Sequence, residues 1–226
     1  LEDFDISSLV ETIPGFHDTR RRYADFRRSV EENRAGRASS VRAEIDYLLS
    51  AEDKACCLTD LYRAGELPLR VTHNDTKINN VLFSPETNEA MIVIDLDTVM
   101  PGLLGHDFGD AIRFAANRVE EDCTDYDRAQ VNLEVFRAFA EGFLSMTAKT
   151  MTDTEIRTLA MSCFDLTAEL ATRFLADYLD GDLYFNIHRP DHNLVRARCQ
   201  IALAKDMRKN MDEMEAIVES CVRNSR

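Results

Sequence analysis

The sequence predicts a mainly α-helical domain interrupted by one small β-hairpin element. Three observations lead there. Apolar residues recur at helical spacing through most of the chain, the period changes to that of strands only between Leu69 and Ile94, and no repeat, low-complexity tract or linker divides the 226 residues. A chain of this length can bury one good core, so a single domain spanning residues 1–226 is expected.

The elements follow in order. From Phe16 to Val30, Tyr23, Phe26 and Val30 share a helical face, and Gly36 breaks the run. A second stripe starts with Val41, Ile45, Leu48 and Leu49, and a third helix through Cys57, Leu58, Leu61 and Tyr62 ends near Gly65, with Pro68 as a stop signal. Leu69 to Thr72, Val81 to Phe83 and Met91 to Ile94 read as short strands, the last two joined by the turn chemistry of Ser84-Pro-Glu-Thr-Asn-Glu. The stretch after Asp95, punctuated by Pro101, Gly102, Gly105 and Gly109, reads as a loop. Three long helices are expected after it. One carries Leu133, Phe136, Phe139, Ala140, Phe143 and Leu144. The next opens on a Thr152-Asp-Thr-Glu155 capping box and runs to Gly181. The last starts after Asp191 and continues toward Val222.

Composition narrows the function classes. Apolar residues make up 45% and charged residues 30%, an ordinary globular balance that excludes disorder as the default. No apolar run reaches the roughly 18 to 20 residues needed to cross a bilayer. The formal charge is −14, which repels nucleic acid and anionic lipid, while a local basic pocket can still hold an anion. The six cysteines include the adjacent Cys56 and Cys57 but no C-x-x-C pair, so they read as reduced thiols that mostly fill the core. The opening residues, Leu1-Glu-Asp-Phe-Asp-Ile, have neither the basic nor the apolar region of a signal peptide, and a cytoplasmic protein is expected. They also lack an initiator Met, as a fragment would.

The chemistry concentrates at the β interruption. His73-Asn-Asp75-Thr-Lys77-Ile-Asn-Asn80 fits H-x-D-x-x-x-x-N, and Ile92-Val-Ile-Asp95 follows one hairpin later. Phosphoryl transfer needs a carboxylate to orient the attacking hydroxyl and accept its proton, which Asp75 can do, and oxygen ligands for Mg²⁺, which Asn80 and Asp95 can supply. The loop motif alone is weak. Its place between a β-run and a hairpin whose second strand ends in Asp makes it stronger.

The run T-H-N-D-T-K-I-N-N-V-L-F, then V-I-D-L-D-T-V-M-P-G, then H-D-F-G-D-A-I-R-F resembles the small-molecule kinases of the aminoglycoside phosphotransferase and choline kinase superfamily. Within it, the chain is most similar to the N-acetylhexosamine 1-kinases, a likeness also carried by Phe16-His-Asp-Thr, Thr172-Arg-Phe-Leu-Ala-Asp-Tyr and Gly181-Asp-Leu-Tyr-Phe. The resemblance implies the helical C-terminal lobe of a protein-kinase-like fold, with ATP as co-substrate and Mg²⁺ as cofactor. It implies Asp75 as the base for a sugar's anomeric hydroxyl, Asn80 and Asp95 as metal ligands, and Asp97 as an auxiliary carboxylate. Lys77 stands where protein kinases place a γ-phosphate-binding lysine, whereas aminoglycoside kinases commonly have His there. His73 would anchor the loop, Asp107 would brace it through backbone donors, and Arg173 and Tyr184 would line the sugar pocket.

The sequence departs from the family in one respect. It has no Gly-rich phosphate loop and no V-A-I-K-type strand, so the N-terminal nucleotide-binding lobe is expected to lie outside it and to pack beside Asp75 and Asp95. A kinase of another small alcohol (choline, homoserine or an aminoglycoside) and a non-catalytic metabolite-binding module are the rival readings. Retention of Asp75, Asn80 and Asp95 together argues against the module. No G-x-S-x-G elbow supports a hydrolase.

Overall fold

A computed structural model describes residues 4–225. Its helices are α1 (Thr19–Glu32), α2 (Arg42–Ala55), α3 (Cys57–Arg63), α4 (Leu104–Ala115), α5 (Leu133–Thr147), α6 (Asp153–Asp180), α7 (His192–Lys209) and α8 (Met211–Ser225). The strands are β1 (Arg70–Thr72), β2 (Val81–Phe83), β3 (Ala90–Val93) and β4 (Met100–Gly102). No described helix is long and apolar enough to cross a membrane.

The fold is built around α6. Its start is fixed by the capping box, in which the Thr152 hydroxyl accepts from the Glu155 amide and the Glu155 carboxylate accepts from the Thr152 amide. Gly181 closes it in the left-handed conformation, which a residue without Cβ adopts at little cost. On one side of α6, Phe108 of α4 sits among Phe136, Phe139 and Phe143 of α5, with ring centroids 5.2 to 5.8 Å away. On the other side, Phe26, Ile45 and Leu48 of α1 and α2 pack with Leu175 of α6 and Ile201 of α7. The β elements form two separate antiparallel pairs. β1 pairs with β4, Thr72 opposite Met100, and β2 pairs with β3, Leu82 opposite Ile92. Arg70 ties the first pair to the start of α6 through two bonds to Glu155, at 3.0 and 2.9 Å.

Two expectations need correction. The stretch after Asp95 is not simply a loop: Met100-Pro-Gly pairs with β1, and α4 begins at Leu104 with Gly105 and Gly109 inside it. Those glycines are there because α4 crosses α6 closely. A Cβ on Gly109 would lie 2.4 Å from the Ser162 carbonyl oxygen, and one on Gly105 would lie 2.7 Å from a Leu58 methyl. The expected last helix is two, broken at Asn210, whose side-chain amide donates to the Asp206 carbonyl. All six cysteines are free, and four are buried.

The crossing makes a direct prediction. Gly109→Ala must push backbone against backbone, and overpacking of this kind costs about 1–3 kcal/mol. The urea midpoint of the variant is expected to fall by that equivalent, and an unchanged midpoint would show that α4 and α6 can separate freely.

Candidate active site

The site begins at the end of β1, where the chain must turn sharply. Asn74 does so with φ of 65°, a left-handed conformation that Asn tolerates better than most residues but that still needs support. Every polar group of Asn74 is engaged. Its amide donates to Asp107 at 2.7 Å, its carbonyl meets the His17 ring at 2.8 Å, and its side-chain amide donates to the carbonyls of Thr98 and Thr72. The Thr72 hydroxyl lies 3.0 Å from the Asn74 side-chain oxygen.

Asp107, in the first turn of α4, grips two consecutive loop amides, those of His73 at 2.9 Å and Asn74 at 2.7 Å. Its own carbonyl accepts from the Thr76 hydroxyl at 2.6 Å. Burial lifts the Asp107 carboxyl to about 6 despite the opposing pull of those amides. His73 spans the loop and the far strand: its Nδ1 accepts from the Asp75 amide at 3.3 Å and its Nε2 donates to the Ile94 carbonyl at 3.0 Å, which fixes the tautomer with the proton on Nε2.

Asp75, Lys77 and Asn80 come together on this loop. Lys77 Nζ donates to Asp75 Oδ2 at 2.7 Å. The Asn80 side-chain amide donates to the Asp75 carbonyl at 2.8 Å and to its Oδ2 at 3.1 Å. With its nitrogen committed to Asp75, Asn80 keeps an oxygen that receives no hydrogen bond among the described residues. The Asn80 carbonyl accepts from the Ile94 amide at 2.9 Å, so both faces of the Ile94 peptide are tied to the loop immediately before Asp95. Asp95 is itself left-handed, with φ of 63°, and it and Asp97 are exposed. Thr12 donates to the Asp97 carbonyl at 3.0 Å, which leaves the Asp97 carboxylate unused by that bond. No three His, Cys, Asp or Glu side chains among the described residues cluster as a self-sufficient metal site. A pair such as Asn80 and Asp95 nevertheless fits Mg²⁺, which binds through few protein oxygens and completes its shell with phosphate and water.

Arg173 and Tyr184 line the same cavity as Asp75 and Lys77, a space of about 550 Å³. Arg173 lies against the rings of Phe16, Tyr184 and Phe185, 5.5 to 6.0 Å from each centroid, and has no ion-pair partner among the described residues. Tyr184 owes its place to Asp177 of α6, whose carboxylate accepts from the amides of Leu183, Tyr184 and Phe185 at 2.8 to 2.9 Å and from the Asn193 side chain at 2.8 Å. The other carboxylates lining the cavity are already paired: Asp110 and Glu121 with Arg113, Glu169 with His17.

Sequence reasoning singled out the Phe16-His17 segment but gave His17 no role, and it missed Glu169 entirely. His17 joins Glu169 Oε1 at 3.0 Å to the Asn74 carbonyl at 2.8 Å. Two acceptors require both ring nitrogens to carry protons, so the ring is an imidazolium. Burial opposes that charge, but Glu169 outweighs it and raises the His17 pKa. Burial would likewise raise Glu169, yet His17, with Arg173 and Arg22 behind it, holds it down at about 2. Behind the pair, the Thr19 hydroxyl lies 2.9 Å from both Glu169 Oε2 and Asp165 Oδ1. Burial beside Glu169 pushes the Asp165 carboxyl well above the usual carboxylate range. His17 and Thr19 lie about 150 residues from Glu169 in the sequence, so no local pattern announces the contact.

The sequence model of the phosphotransferase enzyme family matches residues 5–141, a span that holds Asp75, Lys77, Asn80, Asp95, Asp97 and Asp107. The match covers more than half of the chain, and the protein belongs to that family, the aminoglycoside phosphotransferase and choline kinase superfamily. The mostly helical architecture with a small antiparallel hairpin is that of the helical lobe of its kinase-like fold. The activity that goes with membership is phosphoryl transfer to a small molecule, for which the family generally uses ATP and Mg²⁺.

The His17–Glu169 pair sets a pH window. Glu169 falls from 4.5 to about 2 on folding, so its contribution is full above pH 4.5 and is lost as pH falls toward 2. His17 rises above 6.5, so its share is full below pH 6.5 and is lost as pH rises through the raised value. Removing one partner of a buried pair costs about 3–5 kcal/mol. The stability gap between the natural chain and Glu169→Gln is therefore expected to be widest between pH 4.5 and 6.5. Urea unfolding across the acid and alkaline ranges measures it, and a gap independent of pH would contradict the charge assignment.

Proposed function

We propose that the protein performs ATP- and Mg²⁺-dependent phosphoryl transfer to a sugar hydroxyl, the anomeric hydroxyl of an N-acetylhexosamine. The observation that carries this reading is that Asp75 and Lys77 open onto the same cavity as Arg173 and Tyr184. A base and an acceptor-binding wall then face one space.

In this reading Asp75 orients the acceptor hydroxyl and takes its proton, while Lys77 and Asn80 fix which Asp75 oxygen is presented. Asn80, Asp95 and the auxiliary Asp97 hold the metal, which would neutralise charge on the nucleotide phosphates. Pairing of the other cavity carboxylates with Arg113 and His17 works against a cationic acceptor. The ion-pair-free Arg173 and the aromatic faces of Tyr184 and Phe185 suit a polar, neutral ring.

The second wall of the nucleotide site is proposed to be a β-rich lobe outside this sequence. The surface that supports it is the β2–β3 hairpin with the turn after it, where Leu82, Met91, Ile92, Val93 and Leu96 are each about half exposed or more. The residues described here would then be folded but inactive alone.

In the full-length enzyme, Asp75→Asn is expected to lower kcat by about 10²- to 10⁴-fold with little change in nucleotide affinity. Asp95→Ala should instead weaken Mg²⁺-nucleotide binding. Turnover of N-acetylhexosamines measured against a panel of amino alcohols and aminoglycosides tests the acceptor. Retained turnover in Asp75→Asn would remove Asp75 from the chemistry.

A further inference from the structure

Asp75 follows a residue in a strained conformation, and what holds that residue comes from several elements. The Asn74 amide is fixed by α4 through Asp107, and its side chain by the backbone of β1 and of Thr98. Its carbonyl, half of the peptide that joins it to Asp75, is fixed by a residue remote in sequence, His17. The His17 side chain is 7% exposed and that of Glu169 2% exposed, so water does not compete for either bond. The backbone on which His17 sits is held in turn: Arg22 donates two bonds to the Phe16 carbonyl, at 3.2 and 2.7 Å, and Arg173 packs on the Phe16 ring.

We propose that His17 is a positioning residue for the transfer: as a double donor between Glu169 and the Asn74 carbonyl, it sets the peptide plane from which Asp75 presents its carboxylate. The inference rests on the reading of Asp75 as the base. Its physical content is directional. The 74–75 peptide is held at two points, its C=O by His17 and its N–H by the longer 3.3 Å bond to His73 Nδ1. Without the carbonyl bond only the longer one resists its rotation, and rotation of this peptide swings the Asp75 side chain. Asp75 would then lose the alignment that Asn80 and Lys77 depend on. Displacements of about 1 Å at a reacting group cost on the order of 10²-fold in rate.

The charged and titratable groups that face His17 are Glu169 and Asp165 from α6 and Asp110 and His106 from α4. Arg22 and Arg173 bear on it through Glu169. The His106 ring lies 4.9 Å from that of His17 and is held neutral, its pKa pushed down to about 3 by burial and by His17, so it supplies no competing charge. Phe16, His17 and Asn74 line both the acceptor cavity and a second one of about 370 Å³ beside β4 and α3, so a small molecule can reach the place of the ring.

The test uses the full-length enzyme and its phosphoryl transfer, with kcat corrected for the folded fraction. His17→Phe keeps a ring against Phe16 and His106 but has no donor. It is expected to lose roughly 10- to 10²-fold in kcat, with both KM values within about threefold of the natural enzyme. His17→Ala is expected to regain kcat as imidazole is added, an effect that lost packing alone would not show. Full kcat in folded His17→Phe overturns the proposal, as does a loss confined to the acceptor KM, which would make His17 a direct acceptor contact. Should His17→Phe not fold, absence of imidazole rescue in His17→Ala overturns it. Asp75→Asn is measured alongside: if that variant turns over normally, the reading of the base fails. If it is inactive while His17→Phe is fully active, only the role of His17 fails.

Discussion

The site depends on one carboxylate that is spent on the backbone. Asp107 stands in the first turn of α4 and takes the amides of His73 and Asn74 together, one on each oxygen. Two successive amides converge on this one carboxylate, and the left-handed Asn74 then turns the chain away from it toward Asp75. Once that turn is made, Asp75 faces outward, His73 faces back toward Ile94, and the loop is long enough for Asn80 to return to Asp75. The Asp107 grip also explains why α4 must lie where it does, and hence why it carries Gly109 at its contact with α6. The helix that braces the loop has to lie against the helix that bears Glu169, Arg173 and Asp177.

Much of this was legible in the sequence because it is local. His73, Asp75, Lys77 and Asn80 fall within eight residues, and the structure brings them onto one loop as their spacing suggests. Asp95 follows a hairpin that its turn residues mark, and the capping box at Thr152 forms both of its bonds. What was not legible is what depends on distant partners. Met100-Pro-Gly has the composition of a turn and becomes a strand only because β1 lies opposite. The two glycines of α4 look like breakers until the Ser162 carbonyl is placed 2.4 Å from the missing methyl of Gly109 and a Leu58 methyl 2.7 Å from that of Gly105. Asn210 ends α7 without the Gly or Pro signal that would have shown the break.

Helix α6 shows the same limit in another form. It buries Ser162, Asp165, Thr167, Glu169, Thr172 and Asp177 as well as its apolar residues, so it has no clean solvent face to read. These polar groups have separate tasks. The Thr167 hydroxyl returns to the Cys163 carbonyl and the Thr172 hydroxyl to that of Glu169, which satisfies them within the helix. Asp165, Glu169 and Asp177 instead reach out to Thr19, His17 and the 183–185 backbone. The long central helix thus serves both as core and as the post on which one side of the cavity hangs.

The way Asp177 holds that side separates where the wall stands from what the wall is made of. All three of its loop contacts are to backbone amides, so this hold on residues 183–185 does not depend on their side chains, although the Phe185 ring adds packing on Phe174. A different residue at Tyr184 would be delivered to the same cavity as Asp75. Under the proposed reading, acceptor preference is then open to redirection by substitution at a few wall positions while the scaffold is left untouched.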